Sequence, residues 1–338
     1  MMKHFAFVLV VTAAFAAEDY QPQGYHILSK IKIGGTGGWD YVTADGANHR
    51  LYVSHGASIA IVDTDTGGVV GAVADLHGVH GIAIAAELNK GFISNGQSSS
   101  VTVFDLSTFA KGAEIQTGQN PDAICYEPKT QRVFTFNGRS GDSTAIDAKS
   151  NAVLTTLPLG GKPEFCAVSG DGRIYDNLED KSEMVEIDAA KPAVTRTAKL
   201  DPCDGPSGLA IDTKDGVLFS VCGNKMMAVT DIKQMKVIAT PEIGQGPDAA
   251  GYDPGAGLAF SSNGRDGTLT LVKLVGGEWQ RVDTIFTELG ARTMAVDTKT
   301  HKVYLLTAEF GPMPQAQPGQ RVRPPVLPDT FHVLVVGK

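Results

Sequence analysis

Beyond residue 25 the chain alternates short apolar, β-branched runs with clusters of Gly, Asp, Asn, Lys and Pro, and no stretch repeats apolar residues at a helical period. One phrase recurs: glycine, often proline, one polar residue, then two or three small or apolar residues. It reads GGWDYV at 37–42, GVHGIA at 78–83, GQNPDAI at 118–124 and GGKPEFCA at 160–167. It returns as DGPSGLA at 204–210, GQGPDAAG at 244–251 and LGARTMAV at 289–296. The polar anchors are Asp40, His80, Asp122, Glu164, Ser207, Asp248 and Arg292, spaced on average 42 residues apart. After each phrase come a tight turn, a β-rich run ending in a polar residue (LYVSH, GFISN, VFTFN), a third run such as SIAIVDT and a fourth apolar run such as GVVGAVA. Four short strands with tight turns, repeated every 40-odd residues, make one blade of a β-propeller.

Seven such units predict an all-β, seven-bladed propeller of four-stranded blades. The seventh unit has strands at 291–296, 302–307 and 331–336, and its fourth strand is missing. A spare strand stands upstream of the first unit, YHILSKIKIGG at 25–35. Placed as the outer strand of blade seven, it closes the ring with both ends of the chain and leaves few exposed edges. The reading is one propeller domain over 17–338. The alternative is an open solenoid of the same repeats.

The second-strand runs YVSH (52–55), FISN (92–95), FTFN (134–137) and FSSN (260–263) resemble the consensus of the YVTN-family β-propellers. The loops NGRSGD (137–142) and NGRDGT (263–268), and the third-strand endings Val62-Asp63 and Ile146-Asp147, are similar to that family's. The resemblance covers roughly residues 25–338. It implies a seven-bladed fold in an exported protein, and it implies no reaction. Trp39-Asp40 precedes a first strand, so it is not the WD dipeptide of the WD40 propellers, which ends a third strand.

The first residues read as an export signal over 1–16. Lys3 and His4 precede an apolar run from Phe5 to Ala14, followed by Ala14-Phe15-Ala16 and then polar Glu18-Asp19. The run is too short to span a bilayer, no cysteine follows it for a lipid anchor, and no later run is long enough. The expectation is a monomeric periplasmic or secreted protein without a membrane span. Composition narrows the partners. Lys+Arg 29 against Asp+Glu 37 gives a formal charge of −8, with no basic cluster, which disfavours nucleic acid. Glycine is high, at 39 residues, which suggests many tight turns.

The repeat also concentrates chemistry. The loop entering each innermost strand lies on one face near the central axis, so the anchors project toward one channel mouth. Four are carboxylates, Asp40, Asp122, Glu164 and Asp248; His80 and Ser207 are near-neutral, and Arg292 is positive. At an effective dielectric of 20, like charges about 8 Å apart repel by roughly 2 kcal/mol. The ring is therefore read as a site for a cation or cationic ligand, against the alternative of solvated residues that pin loop amides. The ends of the second strands form another column: His55, Asn95, Asn137, Asn177, Cys222, Asn263 and Ala308. The asparagines are expected in Asx turns. His55, with His77, His80 and Asp40, offers nitrogen and oxygen ligands to a transition metal.

HExxH, GxSxG and Walker motifs are absent, and no nucleophile–base pair can be named. Asp63-Thr64-Asp65-Thr66-Gly67 begins like a calcium loop, but Ala74 stands where the bidentate Glu belongs, so a hairpin turn is expected. There are four cysteines and no CxxC. Cys203 and Cys222 are expected to pair across blade five; Cys125 and Cys166 are expected as buried thiols. The largest break in the repeat is residues 309–330, proline-rich with Arg321 and Arg323, read as a lid, a docking segment or a tolerated insertion. The functional expectation is an exported binding module that presents the channel mouth to a small ligand or protein partner, its ligand set Asp40, His55, His80, Asp122, Glu164, Ser207, Asp248 and Arg292. The alternative is a lactonase-like hydrolase or lyase at the same mouth. No cofactor can be named.

Overall fold

The computed structural model describes residues 23–315 and 323–338. The expected export signal and residues 316–322, with Arg321, lie outside them. Among the described residues there are seven four-stranded antiparallel sheets and two three-residue 3₁₀ turns. The inner strands are Trp39–Asp45, Val79–Ala85, Pro121–Glu127, Pro163–Val168, Pro206–Asp212, Pro247–Asp253 and Thr293–Asp297, each followed outward by its own second, third and fourth strands. Blade seven is the exception. Thr293–Asp297, Lys302–Thr307 and His332–Gly337 are completed on the outside by His26–Lys32 from the other end of the chain. The predicted closure is therefore present, and the ring is a seven-bladed β-propeller.

Alternation along the strands explains the packing. Each blade is buried on both faces, because each face meets the next blade. Seven apolar clusters result, one per seam between neighbours. Leu51 and Val53 of blade one meet Tyr304, Leu306 and Val333 of blade seven. On the other face of blade seven, Leu305 and Leu334 meet Phe260 and Leu271 of blade six. Tyr25, just before the closing strand, caps that seam edge-on to Phe260 with ring centroids 5.5 Å apart. Inner strands approach so closely that side chains must shrink. A Cβ on Gly208 would lie 2.4 Å from the Ala250 amide nitrogen of the next blade, a contact only glycine relieves.

The turns follow the predicted chemistry. Asp63 ends a third strand and accepts hydrogen bonds from the Asp65 and Thr66 amides at 3.1 and 3.0 Å. Asp105, Asp147 and Asp188 repeat this Asx turn. The calcium-like run at 63–67 is thus a hairpin turn. In blade five, Cys203 and Cys222 are joined in a disulfide, 19 residues apart in sequence.

The second-strand column differs from expectation in two ways. The strand-end asparagines do not close Asx turns on their own loops. Asn95, Asn137 and Asn263 reach across to hydroxyls of the third strand: Thr102 at 2.9 Å, Thr144 at 3.1 Å, and Thr268 and Thr270 at 3.1 and 2.9 Å. In blade four the register moves the column by one. Pro163 pairs with Leu178, as Pro121 pairs with Asn137. Asn177 therefore points to the opposite face, where it bonds the Ser207 carbonyl at 2.9 Å and accepts from Ser220. A one-residue slip reverses the face, and the sequence motif alone does not reveal it.

Two outcomes test this architecture. Deleting 25–35 strips the outer strand from blade seven and bares the edge of His332–Gly337; the truncated protein is expected to aggregate in size-exclusion runs or to melt well below the parent, and an unchanged melting curve would refute the closure. Replacing both Cys203 and Cys222 with Ser should cost about 3 kcal/mol in urea unfolding, the chain-entropy value for a loop of this length.

Candidate functional site

The anchors converge at one mouth of the central channel, and there they divide into groups. The tightest spans blades one to three. His80 Nδ1 lies 2.6 Å from Asp40 Oδ2 and 3.5 Å from Asp122 Oδ1. One ligand atom from each of Asp40, His80 and Asp122 lies within 4.8 Å of the others, the single such His/Cys/Asp/Glu set of three among the described residues. All three are partly buried, with side-chain exposures between 21% and 27%. The chain reaches this geometry because each residue sits at the same place in its repeat, at the bulge where the inner strand begins.

The second group belongs to blade four. Glu164 accepts a short hydrogen bond from Lys162 Nζ, which also lies 2.5 Å from Glu179. Lys162 and Glu179 were not among the sequence candidates. The signal was present in Lys162-Pro163-Glu164, since residues two apart on a strand share a face. Beside this group, Tyr41 packs at a tilt against Phe165 with centroids 4.7 Å apart and donates to the Glu164 carbonyl at 3.3 Å.

The third group joins blades six, seven and one. Arg292 Nε lies 3.2 Å from Asp248 Oδ2, and its Nη2 is 3.3 Å from the Trp39 carbonyl. The arginine therefore serves one carboxylate and a main-chain acceptor, not the whole ring. Ser207 bonds the Pro247 carbonyl at 3.4 Å and is part of the blade five–six junction. His55 does not join the triad. It is 9% exposed, and its ring stacks on Phe331 with centroids 4.3 Å apart. It packs the seam of blades seven and one, where burial lowers its pKa. His77 is exposed on its loop. The four-residue metal set proposed from sequence thus reduces to Asp40 and His80, with Asp122 added.

The electrostatics follow from crowding. Asp122 is pushed above the usual carboxylate range, first by burial and then by the Asp40 charge. Glu164 is raised as well, with burial as the main cause. Asp248 is lifted to about 7 by burial, against the pull of Arg292. Burial pulls His80 down, but its hydrogen bond to Asp40 and the charges of Asp122 and Asp40 outweigh that and leave its pKa raised. The mouth therefore holds carboxyl groups that burial and mutual repulsion keep partly protonated near neutrality.

The described ends of the long insertion in blade seven, 309–315 and 323–330, stand at this rim. Its base is a short ladder, with Gly311 N 2.8 Å from the Pro325 carbonyl and Leu327 N 2.8 Å from the Glu309 carbonyl. Phe310 leans on Trp39 at 6.1 Å, and Trp39 stacks on Phe331 at 5.2 Å. Below the mouth a cavity of about 220 Å³ runs along the axis, lined by inner-strand residues including Tyr41, Cys125 and Cys166. A larger cavity of about 320 Å³, lined by Tyr25, His301, Lys302 and Lys338, lies at the other end of the closure seam and takes in none of the anchors.

Comparison with known proteins bears on the fold. No family model matches the chain, and no curated protein matches it. Among solved structures, the chain is similar to hydrazine synthase of Kuenenia stuttgartiensis, with a TM-score of 0.69 and 16% identity over 84% of this chain and 95% of that one. At that identity the likeness carries the propeller architecture and nothing finer. A seven-bladed propeller with a carboxylate–imidazole mouth is the class that fold and geometry define. Among the described residues, no helix is long and apolar enough to cross a membrane.

The charge balance gives a pH dependence with a definite sign. Asp248 moves from about 3.8 in the unfolded chain to about 7 in the fold, so the native state binds more protons and stability falls as pH rises through that window. A raised His80 acts in the same direction, because its contribution is present below the unfolded value of 6.5 and is lost as pH rises through its folded pKa. The protein should melt at a lower temperature at pH 8 than at pH 5. Asp122→Asn should stabilise it by about 1–2 kcal/mol at pH 8 and by little at pH 5. Destabilisation of about 1–3 kcal/mol at both pH values would instead mark Asp122 as a pin for loop amides.

Proposed function

We propose that this chain is an exported binding module, of the YVTN-like kind that its second strands resemble, and that it takes a divalent cation or a cationic ligand at the channel mouth. The observation that carries this reading is the meeting of Asp40, His80 and Asp122 within 4.8 Å, inside a ring whose other carboxyls are also raised in pKa. One imidazole and two carboxylates suit a borderline transition ion such as Zn²⁺, Mn²⁺ or Fe²⁺ better than an alkaline-earth ion, which prefers oxygen alone. A divalent charge at this point lets Asp122 ionise and relieves the repulsion from Asp40. Such a cation would sit open to the mouth, with water or a ligand group completing its coordination. The exported location, in the periplasm or outside the cell, rests on the N-terminal apolar segment. A small ligand or a protein partner would approach over the rim formed by Trp39, Phe310 and Phe331.

A second reading has its own support. Carboxyl groups with pKa values near neutrality are what general acid catalysis needs, and Asp248 at about 7 fits that use. The enzyme reading is a hydrolase or lyase at the same mouth.

Metal analysis of the purified protein, followed by calorimetric titration of the chelated protein with Zn²⁺ and Mn²⁺, tests the proposal. One ion per chain is expected. His80→Gln or Asp122→Asn should weaken binding by at least ~10-fold, because each removes one of only three protein ligands. Absence of stoichiometric binding, or binding indifferent to both substitutions, would defeat it.

A further inference from the structure

Two thiols stand in the channel below the mouth. Cys125 is on the inner strand of blade three and Cys166 on that of blade four; both are free cysteines, the first buried and the second half-buried. The expectation of two buried thiols thus holds for Cys125, whereas Cys166 is half-buried. Both line the axial cavity of about 220 Å³ and share the apolar seam between blades three and four. The two thiols are brought together by neighbouring inner strands, and Cys166 packs against the apolar cluster that contains Cys125.

The same seam holds a second anomaly. Asp176 lies directly across the ladder from Cys166, so the two side chains share a face. Asp176 is 0% exposed and in no ion pair; the Glu164 amide faces its carboxyl without closing a full hydrogen bond. The pairs at this place in the other blades are Val42 and Val53, Ile82 and Ile93, Ile124 and Thr135, Leu209 and Ser220, Ala250 and Ser261, and Met294 and Leu305. The hydroxyls among them are satisfied: Thr135 bonds Asn137, Ser220 bonds Asn177 and Ser261 bonds Asn263. Blade four alone places a thiol and a buried acid there. Neither is needed to pack a seam that the other six build without them, and a buried carboxyl without a counter-charge calls for a proton or a cation.

We propose that Cys125 and Cys166 form a two-thiolate site for a soft monovalent cation of the Cu(I) class, with Asp176 as a buried acid that supports it. The ligand count selects the ion. Cys125, Cys166 and Asp176 do not make a compact three-ligand set, since the one such set among the described residues is Asp40, His80 and Asp122. A tetrahedral divalent ion would lack protein ligands here, whereas Cu(I) is held by soft sulfur. Binding balances as one cation plus two thiols giving a dithiolate complex of charge −1 and two protons, which leave through the cavity. No electron is transferred. Asp176, across the ladder from Cys166 on the same face, is placed to donate a hydrogen bond toward sulfur when its carboxyl holds a proton. The site is independent of whether the mouth above it binds a cation.

The test uses the full chain without oxygen, with Cu(I) supplied as its bicinchoninate complex. One equivalent should be withdrawn from the chelator, with two sulfur neighbours at copper in X-ray absorption. Cys125→Ser and Cys166→Ser should each abolish withdrawal. Asp176→Asn should weaken it by ~10–100-fold, the usual effect of losing an outer-shell partner. His80→Gln should leave it unchanged, which separates this site from the mouth. Circular dichroism and melting of each variant establish that it is folded. If the wild type withdraws no copper, or if a folded Cys125→Ser/Cys166→Ser double variant still withdraws it, the proposal is wrong.

Discussion

The structure depends on one act of closure, the pairing of His26–Lys32 with His332–Gly337. A propeller blade cannot bury its faces alone, so every seam needs two neighbours and the ring needs its last blade whole. Here the last blade is assembled from both ends of the chain. Ile31 from the closing strand enters the seam of blades seven and one, alongside Val333 and Val335. Without that strand, a row of main-chain groups on His332–Gly337 would face solvent, and the edge would be free to pair with another chain.

Closure also fixes the mouth. Arg292 belongs to blade seven, Asp248 to blade six and Trp39 to blade one, and the arginine touches both of the others. The carboxylate ring is thus held by contacts that cross the junction. If blade seven loosened, Asp248 would lose the guanidinium that partly offsets its burial. Stability in the scaffold and charge in the site are linked through this blade. The rim insertion adds to the same region, because Phe310 and Phe331 both lean on Trp39.

Much of this was legible in the sequence because a propeller repeats its constraints. Glycine, proline and one polar residue mark each inner strand, so the count, the closure and the convergence of Asp40, His80, Asp122, Glu164 and Asp248 follow from spacing. The disulfide of Cys203 and Cys222 followed from their places in blade five. What failed were features set between blades or by register. His55 looked like a ligand, but the ring of Phe331, distant in sequence, claims its face. Asn177 matched the motif, yet the pairing of Pro163 with Leu178 turned it to the other face. Lys162 lies two residues before the blade-four anchor, outside the repeated polar position, so the repeat does not single it out. Asp176 sits inside a second strand, and its full burial is set by packing between blades.

The departures from the repeat are therefore more informative than the repeat itself. Seven-fold similarity supplies a common frame against which a single differing position stands out. At the mouth, the residues that differ are an imidazole between two carboxylates. One layer down, they are two thiols and an acid that the packing does not explain. Oxygen and nitrogen donors thus sit above sulfur donors on one axis. The chemistry of the channel arises from single-residue exceptions placed on an otherwise uniform scaffold, and it differs between the mouth and the layer beneath because donor atoms of different softness stand in each.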